Sequence, residues 1–176
     1  MNPKLKVLTY FWDSVKNRKK SLEYLAYSNK FFSFDLKDAE ADIRIEFLPL
    51  FYIDDYKNIA NIENELVYDI SFIGTVHSDR YKIIKKIEEQ AKELNLKTYS
   101  YFYSPNKILF FFQKLFKKDF KYIKWKDVSF KSLNKSDVIN IIEKSKCIID
   151  IQHPKQTGLT MRTIEMLGGK KKLLTT

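Results

Sequence analysis

The chain has 176 residues, 44% of them hydrophobic and 31% charged, with a net charge of +10. That apolar fraction excludes general disorder and suits one domain, or one domain with part of a neighbour. A single cysteine, Cys147, excludes an intramolecular disulfide and fits a reducing compartment. No apolar run approaches the ~20 residues of a membrane span.

Taken in chain order, the residues alternate between strand and helix signals. Lys6 to Trp12 (KVLTYFW) is β-branched and aromatic, as a strand is. Asp13-Ser14 ends it and caps a polar turn or helix to about Tyr27. Lys30 to Phe34 is a second short strand, Asp35 to Ala41 a polar connection, and Ile43 to Phe51 an extended stretch broken by Pro49. Tyr52 to Glu65 is polar and acidic and reads as a linker. Tyr68 to Gly74 (YDISFIG) is a strand, Ser78 to Leu94 a long helix, and Lys97 to Tyr103 (KTYSYFY) an alternating strand. Pro105 to Phe116 is a helix with Pro105 in its first turn. Lys117 to Phe130 is mixed and basic. Ser136 to Ser145 is a helix capped by Ser136. Cys147 to Ile151 is an apolar strand in which the thiol is buried and inert. A helix then runs from Gly158 to Gly168-Gly169 on Leu159, Met161, Ile164, Met166 and Leu167, and Lys170 to Thr176 begins a last strand. Strands alternating with helices imply βαβ units and a parallel sheet.

The basic charge is almost all Lys; Arg occurs only at Arg18, Arg44, Arg80 and Arg162. Sequence-specific DNA readers favour Arg, whose fork matches base edges and phosphates. The lysines reflect either the codon bias of an AT-rich genome or attraction to an anionic partner such as a membrane surface, a polyanion or a nucleotide.

Two loops carry chemistry. After the strand ending at Gly74, the turn Gly74-Thr75-Val76-His77-Ser78-Asp79-Arg80 leads into a helix whose free N–H groups suit a phosphate. There Gly74 permits a sharp turn, Ser78 or Asp79 caps the helix, and Arg80 adds a positive charge. The alternative is an ordinary strand-to-helix loop with Arg80 solvated. One glycine is not a dinucleotide or P-loop fingerprint. After the strand ending at Ile151, His153 faces the ligand edge, where it can bond a phosphate or a sugar hydroxyl. Metal binding finds no support, since His77 is the only other histidine. Arg162 and Glu165 share a helix face, either as a surface ion pair or with Glu165 accepting from ribose hydroxyls.

The segment HPKQTGLTMRTIEMLGGKKKLLTT, with its R-x-x-E-x-L-x-x-x-K pattern beginning at Arg162, resembles the donor-binding end of bacterial glycosyltransferases that build lipopolysaccharide and capsule. These share the two-Rossmann-domain GT-B architecture and include spore-coat-like transferases. The resemblance extends through YDISFIGTVHSDRYKIIKKI and SFDLKDAEADIRIEFLPLFY, covering about Lys30 to Thr176. It implies a truncated α/β, Rossmann-like donor domain over 66–176, incomplete at its carboxyl end, preceded by a remnant of the acceptor domain and linker over 1–65. It implies that Glu165 holds the ribose, that Gly74 and Thr75 lie near the diphosphate with Arg80 close by, and that His153, Gly158, Leu159, Thr160 and Arg162 complete the nucleotide-sugar site. Many retaining members carry a second glutamate where this chain has Thr157, so retention is not implied.

The expected activity is transfer of a sugar from a nucleoside diphosphate sugar to a cell-surface polysaccharide or lipopolysaccharide acceptor, as part of a larger enzyme. No catalytic residue, cofactor or metal is assigned, and no nucleic acid is expected as partner. The expected partners are the donor and a glycan or lipid-linked acceptor, at a cytoplasmic site. A Lys-rich segment, Lys107 to Lys131, either contacts the membrane's inner face or is a solvated helix face. A second reading is a basic nucleic-acid-binding module using Tyr99 to Phe130. A third is a catalytically inactive remnant.

Overall fold

Among the described residues every strand pairing is parallel, as the alternation of strand and helix requires, and the strands form two sheets. A computed structural model of the chain describes residues 5–15, 19–61, 65–77, 79–152 and 159–175. The chain divides into two units: residues up to Tyr52 together with Gln152–Ile164, and Ile53–Ile151 together with Glu165–Thr176. The fold is α/β and Rossmann-like.

In the smaller unit, β1 (Leu8–Phe11), β2 (Lys30–Ser33) and β3 (Ile45–Phe47) lie in that order. A 3-10 helix, Lys19–Tyr27, joins the first two strands. The expected polar connection after β2 is α1 (Leu36–Ala41), which starts where the Asp35 carboxylate accepts the Lys37 N–H at 3.1 Å. Asp38 on α1 is buried and accepts from Ser33 Oγ (2.7 Å), Ser14 Oγ (3.3 Å) and the Val15 N–H (2.9 Å). One carboxylate thereby holds the loop after β1 against the end of β2. A buried charge is tolerable only with such donors.

The larger unit begins with α2 (Asp54–Ile59), where the sequence reads as a linker. A six-residue helix is too short to show a period, and only the burial of Tyr56 and Ile59 reveals its inner face. Then come β4 (Tyr68–Thr75), α3 (Arg80–Glu93), β5 (Thr98–Tyr103), α4 (Lys107–Phe116), α5 (Lys118–Lys121), a 3-10 turn at Trp125–Asp127 and β6 (Val128–Ser129). The chain continues through α6 (Lys135–Glu143), β7 (Ser145–Asp150), α7 (Met161–Gly168) and β8 (Lys172–Thr175). The sheet order is β6-β5-β4-β7-β8.

Successive residues of a strand point to opposite faces, so Ile148 and Ile149 of β7 enter different cores. Ile149 joins Phe72, Phe102, Tyr81, Ile84 and Phe110, under α3 and α4. Ile148 joins Tyr56, Ile59, Ile142 and Met166, under α2, α6 and α7. The sheet is covered on both faces, which is why Cys147, Ile148 and Ile149 of β7 are apolar in succession. On the second face, the Ser71 and Ser145 hydroxyls lie 2.7 Å apart and Ser145 Oγ donates to the Ile141 carbonyl. The two buried hydroxyls satisfy each other.

Several helix ends differ from the sequence reading. Helix α4 starts at Lys107 rather than at Pro105, and Asn106 caps it, its side chain accepting the Ile108 and Leu109 N–H groups. Asn134, not Ser136, caps α6, in a reciprocal box with Asp137. The helix expected from Gly158 starts at Met161, where Thr160 Oγ accepts the Thr163 N–H at 3.1 Å. At the end of α7 the left-handed residue is Lys170 (φ 51°) rather than a glycine. Lys171 N–H donates back to the Met166 carbonyl, closing a Schellman turn. Gly169 is needed for space, since a Cβ there would meet the Tyr56 carbonyl oxygen at 3.2 Å. Leu159 and Leu167, expected on the apolar face, are exposed, and Met166 is the side chain that α7 buries completely.

One hydrogen bond ties α3 to the turn before β6. The buried Tyr81 hydroxyl donates to Asp127 Oδ2 at 2.7 Å, and Lys85 Nζ lies 3.2 Å from the same oxygen. Burial raises the Asp127 pKa, but the Tyr81 and Lys85 donors outweigh it and hold the carboxyl below its usual value. Its stabilising effect is therefore present above about pH 4, the ordinary Asp value, and is lost as pH falls through the depressed pKa. Tyr81→Phe should reduce unfolding free energy by about 1.5 kcal/mol, the lower end for a hydrogen bond to a charged group. Urea titrations across the acid range should show the variant losing less stability on acidification than the parent.

Candidate functional site

From β4 the chain runs out through β5 to β6, then returns to place β7 and β8 on the other side of β4. The connections therefore diverge between β4 and β7. In open α/β sheets the crevice outside the carboxyl ends of two such strands is where ligands bind. Here β4 ends at Thr75 and β7 at Asp150, with Phe72 registered against Ile149.

Arg80, the first residue of α3, reaches back across this point. Its Nη1 donates to the Thr75 carbonyl at 3.1 Å and lies 3.4 Å from Thr75 Oγ1, while Nη2 donates to the Ile151 carbonyl. The guanidinium carbon sits 5.8 Å from the centroid of the Phe72 ring. One cation thus ties the carboxyl ends of β4 and β7 together. The solvated first-turn arginine allowed by the sequence is not what forms. Burial pushes the Arg80 guanidinium below its ordinary value, opposed by the pull of Asp150 and Asp79. A guanidinium remains protonated even so. Its Nε is buried and makes no hydrogen bond among the described residues.

Gly74 is required by this packing. It lies within β4, and no glycine among the described residues has a positive φ. A Cβ at Gly74 would stand 2.8 Å from Phe72 Cζ and 3.1 Å from Arg80 Nη1. The glycine expected to allow a sharp turn instead leaves room for a ring and a guanidinium. Asp79 occupies the cap position of α3 but makes no capping bond with its side chain. Ser78 lies outside the described residues.

The structure therefore brings Gly74, Thr75 and Arg80 together. His153 and Gly158 lie outside the described residues. Leu159 is exposed, Thr160 caps α7, and Arg162 and Glu165 are half-buried on that helix. Leu159, Thr160 and Arg162 belong to the smaller unit, Glu165 to the larger.

Sequence reasoning does not single out Phe72, Asp150 or Ile151. Asp150 is buried at the last position of β7 and exerts the larger of the two carboxylate attractions on Arg80. An acid ending an otherwise apolar strand is the signal that could have found it. Elsewhere, a cleft of about 870 Å³ runs along α3 and α5. Its lysines, Lys82, Lys85, Lys86 and Lys118, are opposed there by Asp79, Glu89 and Asp119. Neither the Thr75 nor the Ile151 end of the sheet lines it.

No family model and no curated protein matches this chain.

Arg80→Ala should lower the unfolding midpoint, because the Thr75 and Ile151 carbonyls lose a charged donor worth about 1.5–3 kcal/mol. Arg80→Lys should not restore it, since one ammonium cannot span both carbonyls with the fork's geometry. Gly74→Ala should cost about 1–3 kcal/mol, the scale of overpacking in a core that cannot yield. An unchanged melting temperature in all three variants would exclude the clamp.

Proposed function

We propose that the larger unit binds a nucleoside diphosphate sugar at the β4–β7 crevice, as the donor domain of a bacterial surface-glycan glycosyltransferase. The observation that carries this reading is a positive charge held beside the start of α3, at the switch point of a five-stranded parallel sheet. An anion at the crevice gains from that charge and from the helix N-terminus together. The resemblance of 153–176 to donor-binding ends supports the sugar nucleotide as the anion's class.

In this reaction the bond between the anomeric carbon and the diphosphate oxygen breaks. A bond from that carbon to an acceptor hydroxyl oxygen forms, and the hydroxyl proton leaves to a base for which no residue is assigned. The departing diphosphate carries the developing negative charge. Fixed positive potential at the crevice lowers the barrier without reorganisation. Because the Nη groups of Arg80 already donate to the Thr75 and Ile151 carbonyls, its action on the phosphates is through its field. Backbone N–H groups at the start of α3 serve as the direct donors, and Glu165 accepts from the ribose hydroxyls. The partners are then the sugar nucleotide and a glycan or lipid-linked acceptor.

Calorimetry with UDP, GDP and ADP and their parent nucleosides tests the reading. At least one diphosphate should bind, and Arg80→Ala should weaken it more than it weakens the nucleoside, since only the diphosphate carries the charge that the Arg80 field attracts. Glu165→Gln should weaken diphosphate and nucleoside alike by about 1–3 kcal/mol, the range for a hydrogen bond to a carboxylate. Absence of binding by every diphosphate at millimolar concentration would overturn the proposal. Steeply salt-dependent binding of single-stranded DNA in its place would favour a nucleic-acid module.

A further inference from the structure

Helix α4 is amphipathic in the wrong sense for a water-facing surface. Of its ten residues only Phe110 is fully buried, packed edge-on to Phe120, Trp125 and Phe130. Residues 108, 111, 112, 115 and 116 follow the i, i+3, i+4, i+7, i+8 spacing of a single helix face. That face, Ile108, Phe111, Phe112, Leu115 and Phe116, points away from the core, each side chain 50–80% exposed. Phe112 and Phe116 stack on each other in the open, rings nearly parallel at 6.5 Å. The polar residue nearest the core side, Lys114, turns inward instead, its Nζ donating to the Lys121 and Ile123 carbonyls.

Isolated exposed apolar residues need no explanation, but a contiguous stripe of five does. Its surroundings identify what covers it. From Lys107 to Lys126 the chain carries seven lysines and one acid, Asp119. Lys107, Lys117, Lys118 and Lys121 are exposed, as are Tyr122 and Trp125 immediately after the stripe. Apolar side chains flanked by Lys and by amphipathic aromatic rings make the pattern of a helix lying in a lipid interface. The charge complements an anionic leaflet, whereas a second copy of the same face would oppose lysine to lysine. At ten residues α4 is half the length a membrane span requires, and among the described residues no helix is long and apolar enough to cross one.

We propose that α4 and α5 form a docking surface for an anionic phospholipid bilayer, with the Ile108–Phe116 stripe entering the headgroup–acyl boundary and the lysines facing lipid phosphates. This rests on α4, α5 and the residues just after them, and is independent of what the β4–β7 crevice binds.

Co-sedimentation of the whole chain with phosphatidylcholine vesicles, with and without phosphatidylglycerol, tests it. The protein should pellet with the anionic vesicles and release as salt is raised. The triple variant Phe112→Ser, Leu115→Ser, Phe116→Ser should abolish binding at an unchanged unfolding midpoint, since none of the three supports the core. Lys117→Gln, Lys118→Gln and Lys121→Gln together should weaken binding roughly a hundredfold, from the attraction expected of three interfacial lysines. Three results would overturn the proposal: no vesicle binding, binding that depends on the lysines but not on the apolar triplet, or a lipid-free dimer dispersed by the same triplet.

Discussion

Pairing β4 directly beside β7 is the constraint on which the larger unit depends. Ser71 and Ser145 stand 74 positions apart in the chain, yet their hydroxyls meet at 2.7 Å. Because both strands run the same way, their carboxyl ends share an edge, and because the chain leaves β4 in one direction and returns from the other, that edge opens between them. Arg80 closes the arrangement. It supplies hydrogen bonds to the Thr75 and Ile151 carbonyls at the ends of two strands, and it does so from the first residue of the helix that packs over β4. The same interaction leaves a half-buried positive charge at the carboxyl edge of the sheet. Under the proposed function, stability and binding are coupled through this one side chain.

That coupling gives Gly74 and Phe72 their roles. The ring of Phe72 lies in the core under α3 and also beneath the guanidinium, so its position sets where the cation sits. Gly74 then has no freedom to carry a side chain. In the smaller unit an anion plays the corresponding part, since Asp38 gathers three donors at the ends of β1 and β2. In each sheet, a charged side chain with its hydrogen bonds organises the carboxyl edge, the side on which parallel sheets bind ligands.

Helix α4 follows a different logic. One phenylalanine secures it, and the remaining apolar side chains are left outward among lysines. Such a surface is unfavourable in water and favourable at a lipid interface, so the face is intelligible as a place of attachment rather than as a defect of packing.

The alternation of strand and helix in the larger unit was legible in the sequence. So were the parallel sheet, β4, β5 and β7 to within two residues, and the long helix α3, because these elements carry strong apolar signals between clear breaks. Gly74, Thr75 and Arg80 could be named as neighbours from the loop that holds them. What the sequence could not supply was the strand order. A strand buried on both faces is apolar throughout and says nothing about which strand lies beside it. Only packing put β7 next to β4, and with it Ile151 within reach of Arg80 and Asp150 close enough to attract the guanidinium. Short α1 and α2 left no periodic signal because six residues contain less than two helical turns. The orientation of α4 was equally hidden: a run of Ile, Leu and Phe has no polar side to mark its outside, and tertiary contacts alone chose Phe110 to face inward.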